Sequence, residues 1–514
     1  MTIPDPIAQG IANGWAVSPG HAHVGQVLDA DVVVVGSGAG GAITAERLSR
    51  TGLKVLLLEE GPLRSSNDFN MDEGWSYAEL YQDGAARQTR DGAIAILQGR
   101  AVGGSTLVNW TSSFRTPERT LAHWRAQGLA LDGLERWFEV MEKDLNISPW
   151  RLPPNGNNAR LALGCERLGI PTGVIARNVR GCWNLGYCGQ GCPTNAKLSM
   201  LVTHIPRALD QGAALVYGAR AWRIELEGGR VAGLACHDSD GRPFHVRCST
   251  LVLSAGAIGS PALLLRSGLE DDAGHTGRGT FLHPVLMSFA RFDEEIAPYH
   301  GAPQSIHSDH FQWQQDHIGY KLEAMPLQPM LAAALHRAHG ERHKRLIGDL
   351  THTSAMLALV RDGFSQDWPG GQVELDDDQQ PVLDYPLHER HFAYFRGVLR
   401  QMLHIQIAAG AKAIWPLHQD AEPLPGAEAL FQLEQLAMVP HKLAVSSAHV
   451  MGGCAMATDP AKGLCDGLGR HFQVPGLFVN DGSLFPSSVG ANPQLSIYAL
   501  AGRNAEALAE RLTS

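Results

Sequence analysis

The chain has 514 residues, 44% of them hydrophobic and 18% charged, with a formal net charge of −10. This length exceeds one small core and predicts two domains interleaved in sequence. The acidic balance, with no basic stripe, excludes nucleic acid as a partner, because phosphate binding needs clustered Lys and Arg. No run of about 18 apolar residues occurs, so no transmembrane segment is expected; the longest candidate, Leu251 to Leu265, is broken by Gly256, Gly259 and Pro261. The first cationic side chain is Arg47. A secretory signal would need an earlier positive region, so the expected location is cytoplasmic, unless export occurs with a partner that carries the signal.

Residues 31 to 61 supply strand, glycine turn, helix, strand and terminal acid, the order a dinucleotide-binding βαβ unit requires. Val32 to Val35 is a β-branched run suited to a parallel strand buried on both faces. Gly36, Gly38 and Gly41 follow as G-x-G-x-x-G, for a tight turn, backbone approach to a pyrophosphate and close helix packing. The phosphates are expected at the helix N-terminus, where free N–H groups favour negative charge. Glu59 ends the next strand, about 20 residues on, and is placed to bind ribose hydroxyls.

A second glycine-rich segment, Gly99 to Trp110, lacks the flanking strands of another nucleotide turn. Further on, Cys182, Cys188 and Cys192 fall within eleven residues, separated by five and three positions. Three thiolates so spaced, with glycines between, can wrap an iron–sulfur cluster, here a 3Fe-4S centre for want of a fourth cysteine. A packed, metal-free loop is the alternative. Ser249 to Leu269 begins as a buried strand and breaks at Ala255-Gly256-Ala257, where small residues bring backbone against a flat ligand. The middle of the chain alternates as an antiparallel sheet does, and Trp313, Tyr320, Met325, Met330, Phe364 and Trp368 point to a hydrophobic pocket. His336, His339 and His343 are interleaved with cations and read as a solvated face rather than metal ligands. Asp376 to Asp378 reads as a hairpin tip. Near the C-terminus, Leu477 to Val479 is a short buried strand ending at Asp481, and a helix is entered through Asn492-Pro493.

These segments resemble the glucose–methanol–choline (GMC) oxidoreductases over nearly the whole chain. The early family signature is matched by Gly99-Arg100, Gly103-Gly104-Ser105 and Asn109, and the second by Gly256-Ala257, Ser260-Pro261, Leu263-Leu264 and Ser267-Gly268-Leu269, departing at Glu270. The nearest branches are the long-chain alcohol oxidases, the cholesterol oxidases and the bacterial FAD glucose dehydrogenases, the last of which carry a three-iron cluster. The resemblance implies an α/β fold: a Rossmann-like FAD-binding domain interleaved with an α+β substrate domain on an antiparallel sheet. Residues 1–284 form the first part of the FAD domain, including the Cys-rich loop at 182–197; 285–440 bind substrate; 441–514 complete the FAD domain and carry the catalytic residues.

FAD is the implied cofactor, held by Gly36, Gly38, Gly41, Glu59, Gly103, Gly104, Asn109, Ala255, Asp481, Gly482 and Pro493. It is expected to be noncovalent, because Ser105-Thr106-Leu107 stands where covalent members carry a histidine. His449 is the expected general base and Asn492 its partner, since asparagine can donate to the substrate oxygen but cannot take its proton. His283, before a proline, matches a family histidine and is read as structural. The expected activity is oxidation of a hydrophobic alcohol by hydride transfer to flavin N5. A dehydrogenase passing electrons to an acceptor protein or quinone is favoured, with a peroxide-forming oxidase or a flavin-containing lyase as alternatives.

Overall fold

The computed structural model describes residues 3–269, 271–314, 318–336 and 338–514. Glu270, the departure from the second signature, lies outside them. Six strands run parallel in the order Ala16–Pro19, Ala214–Tyr217, Val55–Glu59, Val32–Val35, Thr250–Leu253 and Leu477–Val479. The last four are buried at every position. That is why they read as continuous Val and Leu runs: a parallel strand with both faces covered has no polar side to alternate with. Helices Ala39–Ser49 and Gln494–Thr513 pack on one another beside this sheet, joining chain segments more than 400 residues apart.

The second large sheet has eight strands in the order Ile94–Ile96, Val445–Ser447, Val285–Arg291, Thr353–Val360, Tyr320–Ala324, Ile306–Ser308 and Gly173–Val174, with Ala413–Pro416 also paired to Val285–Arg291. Most pairings are antiparallel, but Val445–Ser447 runs parallel to Ile94–Ile96. This sheet therefore draws strands from 94–96, 173–174 and 445–447 as well as from the middle of the chain. Helices Gly156–Arg167 and Glu389–Ala408 pack against it. Smaller sheets flank the two, and one contains the hairpin Gly371–Leu375 with Pro381–Asp384, whose tip carries Asp376 to Asp378.

The three spaced histidines do not share a helical face. His336 ends helix Pro329–His336 while His343 lies in a separate helix, Gly340–Gly348, and His336 is buried against the rings of Phe289 and Trp415 rather than solvated. Burial pushes its pKa down to about 4. Among the described residues no helix is long and apolar enough to cross a membrane.

Candidate active site

The first glycine turn is built by close approach. Gly36 has φ +97°, and a side chain on Gly41 would put its Cβ 1.8 Å from the Gly36 carbonyl oxygen. Gly38 differs, since its added Cβ would meet only Gly104 Cα, at 3.8 Å. It caps helix Ala39–Ser49 without any side-chain hydrogen bond, leaving first-turn N–H groups uncapped. Glu59 is buried at the end of its strand and accepts from Ser37 N (3.1 Å), Ser37 Oγ (2.6 Å) and Gly61 N (2.8 Å). Burial pushes its carboxyl up, and these donors pull it partly back. Ser37 Oγ also accepts from Gly103 N at 2.9 Å, tying the second glycine segment to the first. The uncapped helix start at Gly38, the close backbone approach of Gly104 to it and the nearby Glu59 carboxylate fit a dinucleotide, whose phosphates take N–H donors and whose ribose hydroxyls take an acceptor.

Other predicted cofactor residues converge on the same edge. Asp481 is buried and accepts from Gly256 N (2.8 Å), Ser260 Oγ (2.6 Å), Ser483 N (2.8 Å) and the Ser483 hydroxyl. Its carboxylate thus joins the segment containing Gly482 to the start of helix Gly256–Arg266, next to the exposed Ala255. Asn109 donates from Nδ2 to Gln494 Oε1 (2.7 Å), the residue after Pro493. Gln494 in turn donates to Ser112 O (2.8 Å) and Ser113 Oγ (2.9 Å), fastening the early loop to the C-terminal helix.

His449 is partly exposed and follows strand Val445–Ser447, whose Ser447 hydroxyl accepts from His449 N and donates to Leu282 O. That anchor holds His449 beside His283, with Nδ1 to Nδ1 at 3.3 Å and the rings edge to face. Loss of hydration pushes the His449 pKa down to about 4. His283 is fully enclosed and has φ +46°. Asp362 pins the local backbone by accepting from Leu282 N and His283 N. His283 Nε2 accepts from Gly490 N at 3.0 Å, two residues before Asn492. One line of contacts thus runs from His449 through His283 to the loop that presents Asn492.

Asn492 is buried and donates from Nδ2 to Glu323 Oε2 at 3.3 Å. Glu323, absent from the sequence-based site, is fully buried on strand Tyr320–Ala324 and also accepts from Gln304 Nε2 at 2.7 Å. The signal was present in Tyr320-Lys-Leu-Glu-Ala324, where two charges alternate with apolar residues. Such alternation ordinarily marks a solvated sheet face, so the pattern alone does not mark the carboxylate as buried.

The cysteine loop lies apart, lining a small cavity with Arg177 and Gly301. Among the described residues no three His, Cys, Asp or Glu side chains are placed to hold a metal, so Cys182, Cys188 and Cys192 lack the arrangement of cluster ligands. Each sulfur instead has an N–H partner: Asn184 N to Cys182, Arg177 Nη2 to Cys188 and Lys197 N to Cys192. Lys197 is buried, and its ammonium donates to Leu107 O (2.6 Å), Asn109 O (3.1 Å) and Cys188 O (2.7 Å). Burial brings its pKa down to about 8. Lys197 staples the loop to the Asn109 segment.

A parallel sheet with an uncapped glycine-lined helix start, beside a second and mostly antiparallel sheet, is the architecture of a Rossmann-like dinucleotide-binding α/β protein. GMC oxidoreductase descriptions match residues 77–285 and 369–501, and a Rossmann-like NAD(P)-binding description matches 34–63. A GMC-type oxidoreductase of Mycobacterium tuberculosis is 33% identical over 92% of this chain and 75% of its own length. A long-chain-alcohol oxidase of Arabidopsis thaliana is 31% identical over 92% of this chain, which spans 66% of that enzyme. Among solved structures, formate oxidase of Aspergillus oryzae superposes with a TM-score of 0.72 at 15% identity, covering 94% of this chain and 98% of that one. Pyridoxine 4-oxidase from Mesorbium loti gives 0.69 at 19%, covering 93% and 99%. The chain belongs to the GMC oxidoreductase family and is an FAD-dependent enzyme.

Proposed function

We propose that the protein oxidises a hydrophobic alcohol to an aldehyde or ketone, with His449 and Asn492 holding the carbinol. The observation that carries this is the contact line His449–His283–Gly490–Asn492, which fixes two neutral polar groups on adjoining loops. Bound FAD supplies the hydride acceptor. Noncovalent attachment accords with the early signature, where Ser105 Oγ accepts from Gly99 N, and Thr106 donates to Gly103 O while accepting from Met200 N. Glu59, Gly103, Gly104, Asn109, Ala255, Asp481, Gly482 and Pro493 would form the cofactor's bed.

The simplest role for His449 is to take the hydroxyl proton, but its surroundings favour the opposite polarity. Gly490 N–H can only donate, so His283 Nε2 must be a lone-pair acceptor. His283 is held neutral by burial and by nearby His449, Arg361 and Lys321, so its single proton sits on Nδ1. That proton is then donated to His449 Nδ1. A neutral His449 is left with Nε2–H, a donor suited to the carbinol oxygen and to the negative charge that builds there.

The dehydrogenase reading drew on the cysteine loop as an electron exit. Relatives named as oxidases favour direct use of oxygen. The test is anaerobic mixing of the holoenzyme with primary alcohols of increasing chain length while following flavin absorbance. Bleaching that quickens with chain length is expected; no bleaching with any alcohol would leave the lyase alternative standing. Admitting air to the reduced enzyme then separates the acceptors, with reoxidation in seconds expected of an oxidase and persistence for minutes of a dehydrogenase.

A further inference from the structure

Two buried cations stand beside the cysteine loop, and among the described residues neither is bonded to a carboxylate. Arg177 gives Nε to Thr111 Oγ1 (2.7 Å) and Nη2 to Cys188 Sγ (3.4 Å), stacks on the Trp150 ring, and leaves Nη1 without a partner. The Lys197 ammonium is held by main-chain oxygens. Buried charge needs an opposite charge close by, and the acidic groups facing these cations are thiols: Cys188 feels both, and Cys192 feels Lys197. We infer that Cys188 and Cys192 are a dithiol that hydrogen peroxide converts to a disulfide, loosening the cofactor segment at Asn109. Both are partly exposed, and with Arg177 they line the same small cavity, where the free Nη1 donor can take a peroxide oxygen.

The two sulfurs are prepared differently. Cys192 Sγ accepts from Lys197 N (3.5 Å) and bonds the Thr194 hydroxyl (3.4 Å). Burial would raise its thiol, but these bonds and the Lys197 charge bring it below the usual range. Burial keeps Cys188 above that range, against the pull of Arg177 and Lys197. One sulfur is thus the nucleophile and the other keeps its proton until it attacks. Between them lies the single turn Cys188–Gln190, followed by Gly191 at φ +80°, a stretch short enough to bring its ends together. The Cys188 carbonyl is one of three oxygens on the Lys197 ammonium; the others belong to Leu107 and Asn109. Drawing Cys188 onto Cys192 therefore takes that carbonyl from Lys197 and its sulfur from Arg177. The staple on the Asn109 segment is lost.

In the first step the Cys192 thiolate attacks one peroxide oxygen. The O–O bond breaks, an S–O bond forms, and the departing hydroxide takes a proton from solvent and leaves as water. In the second step Cys188 attacks the Cys192 sulfur. The S–O bond breaks, an S–S bond forms, and the oxygen leaves as a second water with the Cys188 proton. Two thiols lose two electrons in all, and one peroxide gains them. The enzyme's own supply of peroxide rests on the oxidase reading above; the dithiol does not.

The test treats reduced wild-type holoenzyme with a small excess of hydrogen peroxide and maps its peptides by mass without reduction. A Cys188–Cys192 cross-link that dithiothreitol reverses is expected, together with FAD binding weakened by about 5–150-fold, the usual span of coupling between two sites, and restored on reduction. Cys192→Ser should form no cross-link and keep its FAD under peroxide. Cys188→Ser should stop at a sulfenic acid on Cys192, trapped by dimedone, whereas Cys182→Ser should behave as wild type. Wild type that keeps both thiols under peroxide, or that cross-links through Cys182 instead, would overturn the inference, and neither result depends on a variant folding. FAD affinity within about twofold of the reduced enzyme once the cross-link has formed would overturn its hold on the cofactor. If added peroxide gives the cross-link but turnover with alcohol in air gives none, the oxidase reading fails and the dithiol stands.

Discussion

His283 shows how one enclosed side chain can decide what its neighbour does. It touches His449 through one nitrogen and the Asn492 loop through the other, so its single proton sets the tautomer of the exposed ring. Replacing it with leucine removes that control. The expected result for His283→Leu is retained FAD with flavin reduction slowed about 10–100-fold, and weaker binding of carbonyl products that accept from His449. His449→Ala should also keep yellow cofactor but lose more, about 10²–10³-fold in reduction rate, the usual cost of one donor aimed at a developing oxyanion. Unchanged reduction in either variant would contradict its assigned role. His449 and Asn492 stand in family signatures, which is what makes them candidates from sequence alone. Glu323 is not one, because a charge alternating with apolar residues marks a wet sheet face unless something distant covers that face.

The glycines of the nucleotide turn separate packing from ligand binding. A methyl on Gly41 would collide with the Gly36 carbonyl, whereas one on Gly38 would meet only Gly104 Cα, at an ordinary contact distance of 3.8 Å. Gly41→Ala should therefore lower stability by about 1–3 kcal/mol even without cofactor. Gly38→Ala should leave the apoprotein's thermal midpoint nearly unchanged and weaken FAD binding, seen as flavin lost on gel filtration. Equal effects from both would show that Gly38 is not facing the phosphates. This βαβ element was readable because its strands are buried on both faces and its turn is set by local sterics. The hairpin with its acidic tip was readable for the same local reasons. His336 was misread: its neighbours in sequence are cations, and the Phe289 and Trp415 rings that bury it come from remote strands.

At the scale of the whole molecule, helix Ala39–Ser49 is locked to helix His204–Asp210 by a buried pair, Glu46 with His204. Burial alone would raise the Glu46 carboxyl, but His204, with Arg50 and Arg47, brings it from 4.5 down to about 2. A carboxylate with a depressed folded-state pKa adds stability that is full above its unfolded value and is lost as pH falls through the folded one. The pair should thus contribute ~3 kcal/mol at neutral pH, by the usual 1.36 kcal/mol per pKa unit, and lose it between about pH 4.5 and 2. In His204→Gln, urea unfolding should show a lower midpoint at pH 7 and a flatter acid dependence. An acid profile identical to wild type would assign the loss to other groups. Lys197→Met should also lower stability, since it strands the buried Leu107 carbonyl and two half-buried ones and frees the cysteine loop from the Asn109 segment.

By itself the sequence determined the nucleotide-binding unit, the flavin and the family, and it singled out His449 and Asn492 as candidates, all from short-range sterics or from motifs whose chemistry is local. Only the tertiary structure decided how the pair is wired and what lies behind it. His449 touches His283, 166 residues away in the chain, and Asn492 meets Glu323 across 169. Such contacts depend on which sheet face is covered by which domain, a property of the folded whole that no local pattern of residues encodes.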